Sequence, residues 1–516
     1  MSRESLTGLT PYLLGLFFVL SLATGSPGEL IRGRDFVLPI LEAFAVAAAA
    51  HVLAWALTRD RARAALIACV WIVAFATFGI LLDQLGGAGT LGPTPGEVIV
   101  LALYLVAGVA LTAAISGTRR DLGGLLRSLA IMAALLVGWN GILTTQSLAA
   151  SSTVDGHLPP SRISAPATVG RPPDVLFLIL DKYTGSRILA QQYGYDNDAF
   201  AEWLRTRGFV VPKAARANYV NTFLALDGML NLTYLDSIAD RVGRAKNREL
   251  YYEGIEGSRL AAFFRERGYE FVFLPTAYSA TRQNRYADRQ IPEPTEIRPE
   301  LVSAWHRLTP VPTLHRLTCS VLGCPYPTAY TPETAEMFDW KFEQLAQLAG
   351  QGRPLFVFAH LTLPHEPYVF RSDCSHRPPY WPMRDTGPDS AVVARAYLDQ
   401  ISCLNRKLET LVSAWQARSR VPPIILLQSD HGHGRAGRHL PGWQRLRPDQ
   451  VEDRTSVFAA YLVPGRRLDS VPEAVTPING VRFMLRHGFG ADLPPLPDLT
   501  YWSAFRTPSA LERIAP

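Results

Sequence analysis

Ile424-Ile-Leu-Leu-Gln-Ser-Asp-His-Gly432 is the stretch that decides how this chain folds. Its apolar run, Ile424–Leu427, passes without alternation into a polar turn. A run too short for a helix and flanked by turn residues predicts a strand covered on both faces, as in parallel sheets. Ligands of such sheets gather beyond the carboxyl ends of the strands. There the turn presents Asp430 and His431 side by side. A carboxylate next to an imidazole suits one divalent metal, zinc or manganese first, with magnesium and calcium left open. On its own such a pair is better explained as a hydrogen-bonded turn, so the weight falls on the other strand ends.

Two more apolar strands end in matching chemistry. Val175–Leu180 is followed directly by Asp181, a carboxylate that is costly to bury unless it pairs or binds metal. Leu355–Ala359 is followed by His360 and then by Pro364-His365-Glu366-Pro367. His433 and His439 come close behind the Asp430-His431 turn. Further strands are predicted over 270–274 and 457–463. Helix-like stretches over 199–207, 257–267, 333–349 and 393–416 alternate with these strands. Such alternation predicts an α/β domain with a mainly parallel sheet. Any one strand end has an ordinary structural explanation; three at one edge of one sheet would be an improbable coincidence.

Asn218-Tyr-Val-Asn-Thr222-Phe-Leu-Ala-Leu226 supplies a hydroxyl just before an apolar helix predicted over 223–235. Taken alone, Thr222 is an N-cap. The same place also favours negative charge, because free amide groups and the helix dipole point at it. A phosphorylated or metal-bound Thr oxygen would be stabilised there.

The first part of the chain is different. Apolar runs near 9–26, 36–57, 64–82, 98–116 and 128–146 are each long enough to cross a hydrocarbon core of roughly 30 Å. A cleaved signal peptide would explain only the first, so five membrane helices are predicted. Arg59, Arg61 and Arg63 follow the second run; Arg119, Arg120 and Arg127 follow the fourth. The loop from Gln84 to Glu97 has no Lys or Arg. The positive-inside rule therefore places loops two and four in the cytoplasm and everything after residue 146 outside. Glu42 falls inside the second run, about two turns from its outer end, close enough to reach the interface. The expected domains are a transmembrane domain over 1–146, a Ser/Ala/Pro/Gly-rich linker over 147–173, and an extracytoplasmic catalytic domain over 174–516. The net charge of +6 is mild and its Arg residues are dispersed, so a nucleic-acid surface is not indicated. Cys69 reads as a packed free thiol. Export would permit Cys319 to bridge Cys324, and Cys374 to bridge Cys403.

Asp181 after an apolar strand, Thr222 at a helix start, His365 before a Glu-Pro, and Ser429-Asp-His-Gly432 together resemble the alkaline phosphatase/sulfatase superfamily. With the five apolar runs, the layout is similar to lipoteichoic acid synthases and to phosphoethanolamine transferases of the bacterial envelope. The resemblance implies that Asp181, Thr222, Asp430 and His431 hold the metal, with Thr222 also the nucleophile. It implies that His365, and His439 with it, contacts the transferred group. It further implies an inner-membrane enzyme moving a phosphoryl-bearing head group from a phospholipid or phosphoester donor to a glycan or lipid acceptor. Two departures stand out. A single Asp followed by Lys182 occupies the first ligand position, and Thr222-Phe-Leu-Ala-Leu226 lacks the Pro and Arg of the sulfatase nucleophile pattern. A phosphate or sulfate ester hydrolase, and a non-catalytic membrane module that kept the fold, are the competing expectations.

Overall fold

The structure is a computed structural model. It describes residues 7–25, 33–84, 95–152, 162–167, 170–242, 248–291, 300–322, 334–380, 390–434, 442–465, 472–505 and 507–514. Its main elements include, in chain order, α1 (Thr10–Gly25), α2 (Val37–Thr58), α3 (Arg61–Gln84), α4 (Pro95–Gly117), α5 (Gly123–Ser152), β1 (Val175–Leu180), α6 (Thr222–Asn231), β2 (Glu270–Leu274), β3 (Arg289–Gln290), α7 (Glu300–Leu308), α8 (Val311–Leu322), β4 (Leu355–Leu361), β5 (Tyr368–Phe370), β6 (His376–Tyr380), α9 (Ala391–Arg418), β7 (Ile424–Gln428), α10 (Pro448–Thr455) and β8 (Ala459–Leu462). The chain forms two compact units. One is Met1–Val154 with Arg298–Thr331; the other is Asp155–Ile297 with Pro332–Pro516.

The first unit is helical. α2 to α5 are long and apolar enough to cross a membrane. α1 has 16 residues, about 24 Å at 1.5 Å per residue, which falls short of a full hydrocarbon core. The five expected spans are therefore four long helices and one shorter apolar one. α1 lies against α5, where the Thr24 hydroxyl donates to Asn140 Oδ1 at 2.8 Å. Apolar side chains such as Leu53, Val106, Val109 and Leu135 face outward, as expected of helices solvated by lipid.

The unit also takes in α7 and α8, a stretch to which the sequence pattern gave no membrane role. Leu301 and Trp305 of α7 are buried in one cluster with Leu14, Val19, Ala43, Ile72 and Ala76. Glu42 does not simply extend to a solvated interface. Trp305 Nε1 donates to its carboxylate at 2.9 Å, and His306 Nε2 lies 3.1 Å from it. Gly79 of α3 passes so close to the Arg307 carbonyl that a Cβ there would collide with it.

The second unit holds a six-stranded sheet in the order β3-β2-β4-β1-β7-β8. Every neighbouring pair is parallel except β7 with β8, which run antiparallel. β1, β4 and β7 are buried along their whole length, which is why they read as unbroken apolar runs. Helices cover the sheet: Phe338, Phe342 and Leu345 from the helix Ala335–Leu348, and Ile401, Leu404, Leu408 and Trp415 from α9, pack into one core with Leu176, Leu178, Val357 and Leu427. β1 sits between β4 and β7, so the three chemically marked strand ends are neighbours. A short β5–β6 hairpin follows the Pro364–Pro367 turn. Cys374, in that hairpin's connection, is disulfide-bonded to Cys403 of α9. Cys319 is also in a disulfide; its expected partner Cys324 lies outside the described residues. Cys69 is a buried free thiol.

Candidate metal centre

Parallel pairing sets the level of each group. Ile179 of β1 is in register with His360 of β4 and with Gln428 of β7, so Asp181 and Asp430 leave adjacent strands a residue or two past the ladder. Both are buried. The Asp430 Oδ1 atom accepts from the Lys182 amide at 3.1 Å and from the His431 amide at 2.8 Å. Its Oδ2 atom has no hydrogen-bond partner and stands 3.3 Å from His431 Nε2. Asp181 Oδ1 is likewise without a hydrogen-bond partner, 3.9 Å from the same nitrogen.

The turn that carries these groups depends on Gly432. Its amide donates to the Arg454 carbonyl at 2.8 Å, and a Cβ there would strike the backbone of Asp453. The Nδ1 atom of His431 is 3.0 Å from the Gly432 carbonyl. A carbonyl only accepts, so the proton sits on Nδ1 and leaves the Nε2 lone pair facing the carboxylates. Burial first, and then the nearby Arg454 charge, hold this imidazole well below its ordinary pKa, in the neutral form that ligates metals.

Donor atoms of Asp181, Asp430 and His431 lie within 4.8 Å of one another, the one such group among the described residues. Two buried like charges a few ångströms apart, each with an oxygen left unpaired, are costly unless a cation or a proton joins them. Burial and the Asp181 charge push the Asp430 carboxyl up to about 7. Asp181, despite its burial, is drawn below the usual carboxylate range by His365, His360 and His431. The donor set thus fits a divalent cation.

Thr222 is the first residue of α6, so the N-cap position belongs to Asn221. The Asn221 side chain is engaged elsewhere, donating to Ser503. The Thr222 hydroxyl stands 3.1 Å from His431 Nε2, at the start of a helix otherwise buried throughout its apolar length. His360 also approaches the centre. Its Nε2 atom is 3.5 Å from Asp181 Oδ2, while Nδ1 is bonded to the Thr281 hydroxyl at 2.9 Å. His365 is in the turn between β4 and β5, beside the Glu366 carbonyl. His433 does not join the ligand group: it is buried between the Tyr193 and Tyr368 hydroxyls and stacked on Tyr397. His439 lies outside the described residues.

Two further charged groups at the centre carried no sequence signal of their role. Lys182 has a positive φ of 66°, and its ammonium binds both oxygens of Glu366 at 3.0 and 3.2 Å, with both side chains buried. The Lys182 backbone is held on both sides, by Asp430 and by the Tyr397 hydroxyl at 2.7 Å. Arg454 of α10 is buried, donates to the Val220 carbonyl just before α6, and comes within 3.3 Å of His431 Nε2. Lys182 and the Pro-His-Glu-Pro turn were visible in the sequence, but only the fold pairs Lys182 with Glu366.

No protein-family model matches the chain, and no curated protein does. Among solved structures the chain is similar to the integral membrane lipooligosaccharide phosphoethanolamine transferase A of Neisseria meningitidis, at 12% identity and TM-score 0.41, covering 95% of this chain and 96% of that one. It is similar to a zinc complex of the C-terminal periplasmic domain of EptC from Escherichia coli, at 13% identity and TM-score 0.40, covering 69% and 96%. It is also similar to a phosphonate monoester hydrolase of Silicibacter pomeroyi, at 14% identity and TM-score 0.40, covering 62% and 74%.

Proposed function

We propose that this chain is a membrane-anchored, metal-dependent enzyme that transfers a phosphoryl-bearing group from a phospholipid head group to a hydroxyl of an envelope glycan or lipid. The observation that carries this reading is the Thr222 hydroxyl at the start of α6, 3.1 Å from His431 Nε2 and beside two buried carboxylates that each keep an oxygen without a hydrogen-bond partner. Asp181, Asp430 and His431, with Thr222, would hold one divalent cation, which when bound lowers the pKa of a hydroxyl and polarises a phosphoryl oxygen.

Thr222 then acts as the nucleophile. Its oxygen bonds to phosphorus as the bond from phosphorus to the donor's leaving oxygen breaks. The Thr222 proton ends on that leaving oxygen, with His365 as its carrier. The free amide groups at the start of α6 favour the negative charge held there. In the second half an acceptor hydroxyl attacks phosphorus, the Thr222 oxygen leaves, and the hydroxyl is restored. The distribution of Arg between the loops supports an extracytoplasmic location for this chemistry.

Thr222→Ala tests the assignment: turnover should disappear while the fold and membrane insertion persist. With donor and no acceptor, a mass increment should appear on the peptide Asn218–Leu226. An active Ala variant, or an increment on another peptide, would remove Thr222 from this role. Steady release of the product into water without any hydroxyl acceptor would instead make the enzyme a hydrolase. A reporter active only outside the cytoplasm should be on when fused at residue 160 and off at residue 61.

A further inference from the structure

α8 is the least explained element of the helical unit. One face, Thr313, Arg316 and Cys319 at helical spacing, is buried. Arg316 pairs with Glu97 in the first turn of α4, and the Thr313 hydroxyl donates to the same carboxylate at 3.1 Å. The other face is exposed and mixes Thr318 and Ser320 with three large apolar side chains. Leu314 is 47% exposed, Val321 83% and Leu322 74%. These are not isolated surface leucines. Val98 and Ile99, in the turn of α4 that carries Glu97, are exposed too, and the outward face continues along α4 through Leu103, Val106 and Val109. α4 is read as spanning the bilayer, so an apolar surface continuous with its end meets the same solvent. Arg316 and His306 are taken up by Glu97 and Glu42, which leaves Arg307 as the basic group of α7 and α8 that can meet an anionic head group.

We propose that α8 is an interfacial helix, lying at the boundary between head groups and acyl chains, with Leu314, Val321 and Leu322 turned into the lipid. Two clamps hold it there. Glu97 fixes α8 through Arg316 and Thr313, and Glu42 fixes α7 through Trp305 and His306. Its partner is the bilayer itself, and the proposal rests on the reading of α2–α5 as membrane spans.

The test uses the full-length protein in vesicles of phosphatidylcholine and phosphatidylglycerol, in a Cys69→Ala parent whose own background signal is subtracted. Nitroxide labels go on Leu314→Cys, Val321→Cys and Leu322→Cys, with Val106→Cys as the mid-span control and Glu409→Cys as the aqueous control. Labels at 314, 321 and 322 should relax with dissolved oxygen several-fold more than with a water-soluble nickel chelate, as at 106 and opposite to 409. Combining Glu97→Gln with the label at 321 should shift that label toward the chelate. Chelate-accessible labels at all three positions would overturn the proposal. So would labels shielded from both reagents, which would mean a protein partner such as a second copy. If the label at 106 also proved aqueous, the fault would lie with the spans rather than with α8.

Discussion

The two units treat their inward-facing carboxylates in opposite ways. In the helical unit, Glu42 is met by Trp305 and His306, and Glu97 by Thr313 and Arg316. In the sheet-bearing unit, Asp181 and Asp430 are more deeply buried than Glu42, yet each keeps an oxygen with no hydrogen-bond partner. A carboxylate fully answered by side chains is explained by the fold. A pair left unanswered, with a neutral imidazole beside it, asks for something the chain does not supply. Asp227 in α6 is a third case. It too has an unpartnered buried oxygen, but it belongs to no such donor group, and burial pushes its carboxyl up to about 8.

Asp430→Asn should break this contrast most visibly. Turnover and bound metal, the latter read by elemental analysis, should both be lost. The metal-free protein should melt higher than metal-free wild type, because a buried repulsion is relieved. Retained activity would end the metal assignment. Next come the answered pairs, one in each unit. Lys182→Met strands Glu366, and Arg316→Met strands Glu97. Each should cost about 3 kcal/mol, since an uncompensated buried charge remains. Denaturant unfolding measures it; a loss under 1 kcal/mol would class either pair with exposed surface bridges, which are worth about that much.

Asp227 predicts a pH dependence. Its folded pKa is above its unfolded one, so the folded state holds the proton more tightly. The stabilising contribution is full below about pH 4 and is lost as pH rises toward 8, at roughly 1.4 kcal/mol per unit. Asp227→Asn, which mimics the neutral acid, should flatten that slope between pH 4 and 8. An unchanged slope would mean that the carboxyl is ionised after all. Thr281→Val is the mildest change. It removes the hydrogen bond to His360 Nδ1 and should cost about 1 kcal/mol, with a lower metal affinity only if His360 orients Asp181.

The sheet was legible because β1, β2, β4 and β7 are fully or almost fully buried, so their apolar runs are uninterrupted. The ends of those strands were legible for the same reason, since Asp181 and His360 each break such a run and Asp430 follows close behind another. The β5–β6 hairpin was not, because its strands are short and β6 contains prolines. Arg454 was hidden because an Arg in a polar helix gives no sign that it will be buried. α7 and α8 were hidden because their partners, Glu42 and Glu97, are more than 200 residues away in sequence. Periodicity shows that a helix has a buried face; it does not show what that face meets.

The division of the chain has a consequence for its biogenesis. The helical unit is interrupted by residues 155–297, so β1, α6, β2 and β3 are all translated before α7 and α8 exist. Until then Glu42 and Glu97 enter the membrane without Trp305, His306, Thr313 and Arg316. A lone acidic group costs up to about 3 kcal/mol at the centre of a span and less toward its ends. The nascent bundle is therefore marginal until roughly three-fifths of the chain has been made. A ribosome stalled between residues 160 and 297 would leave a membrane domain with every spanning helix present and its last supports missing, a species suited to recognition by membrane quality control.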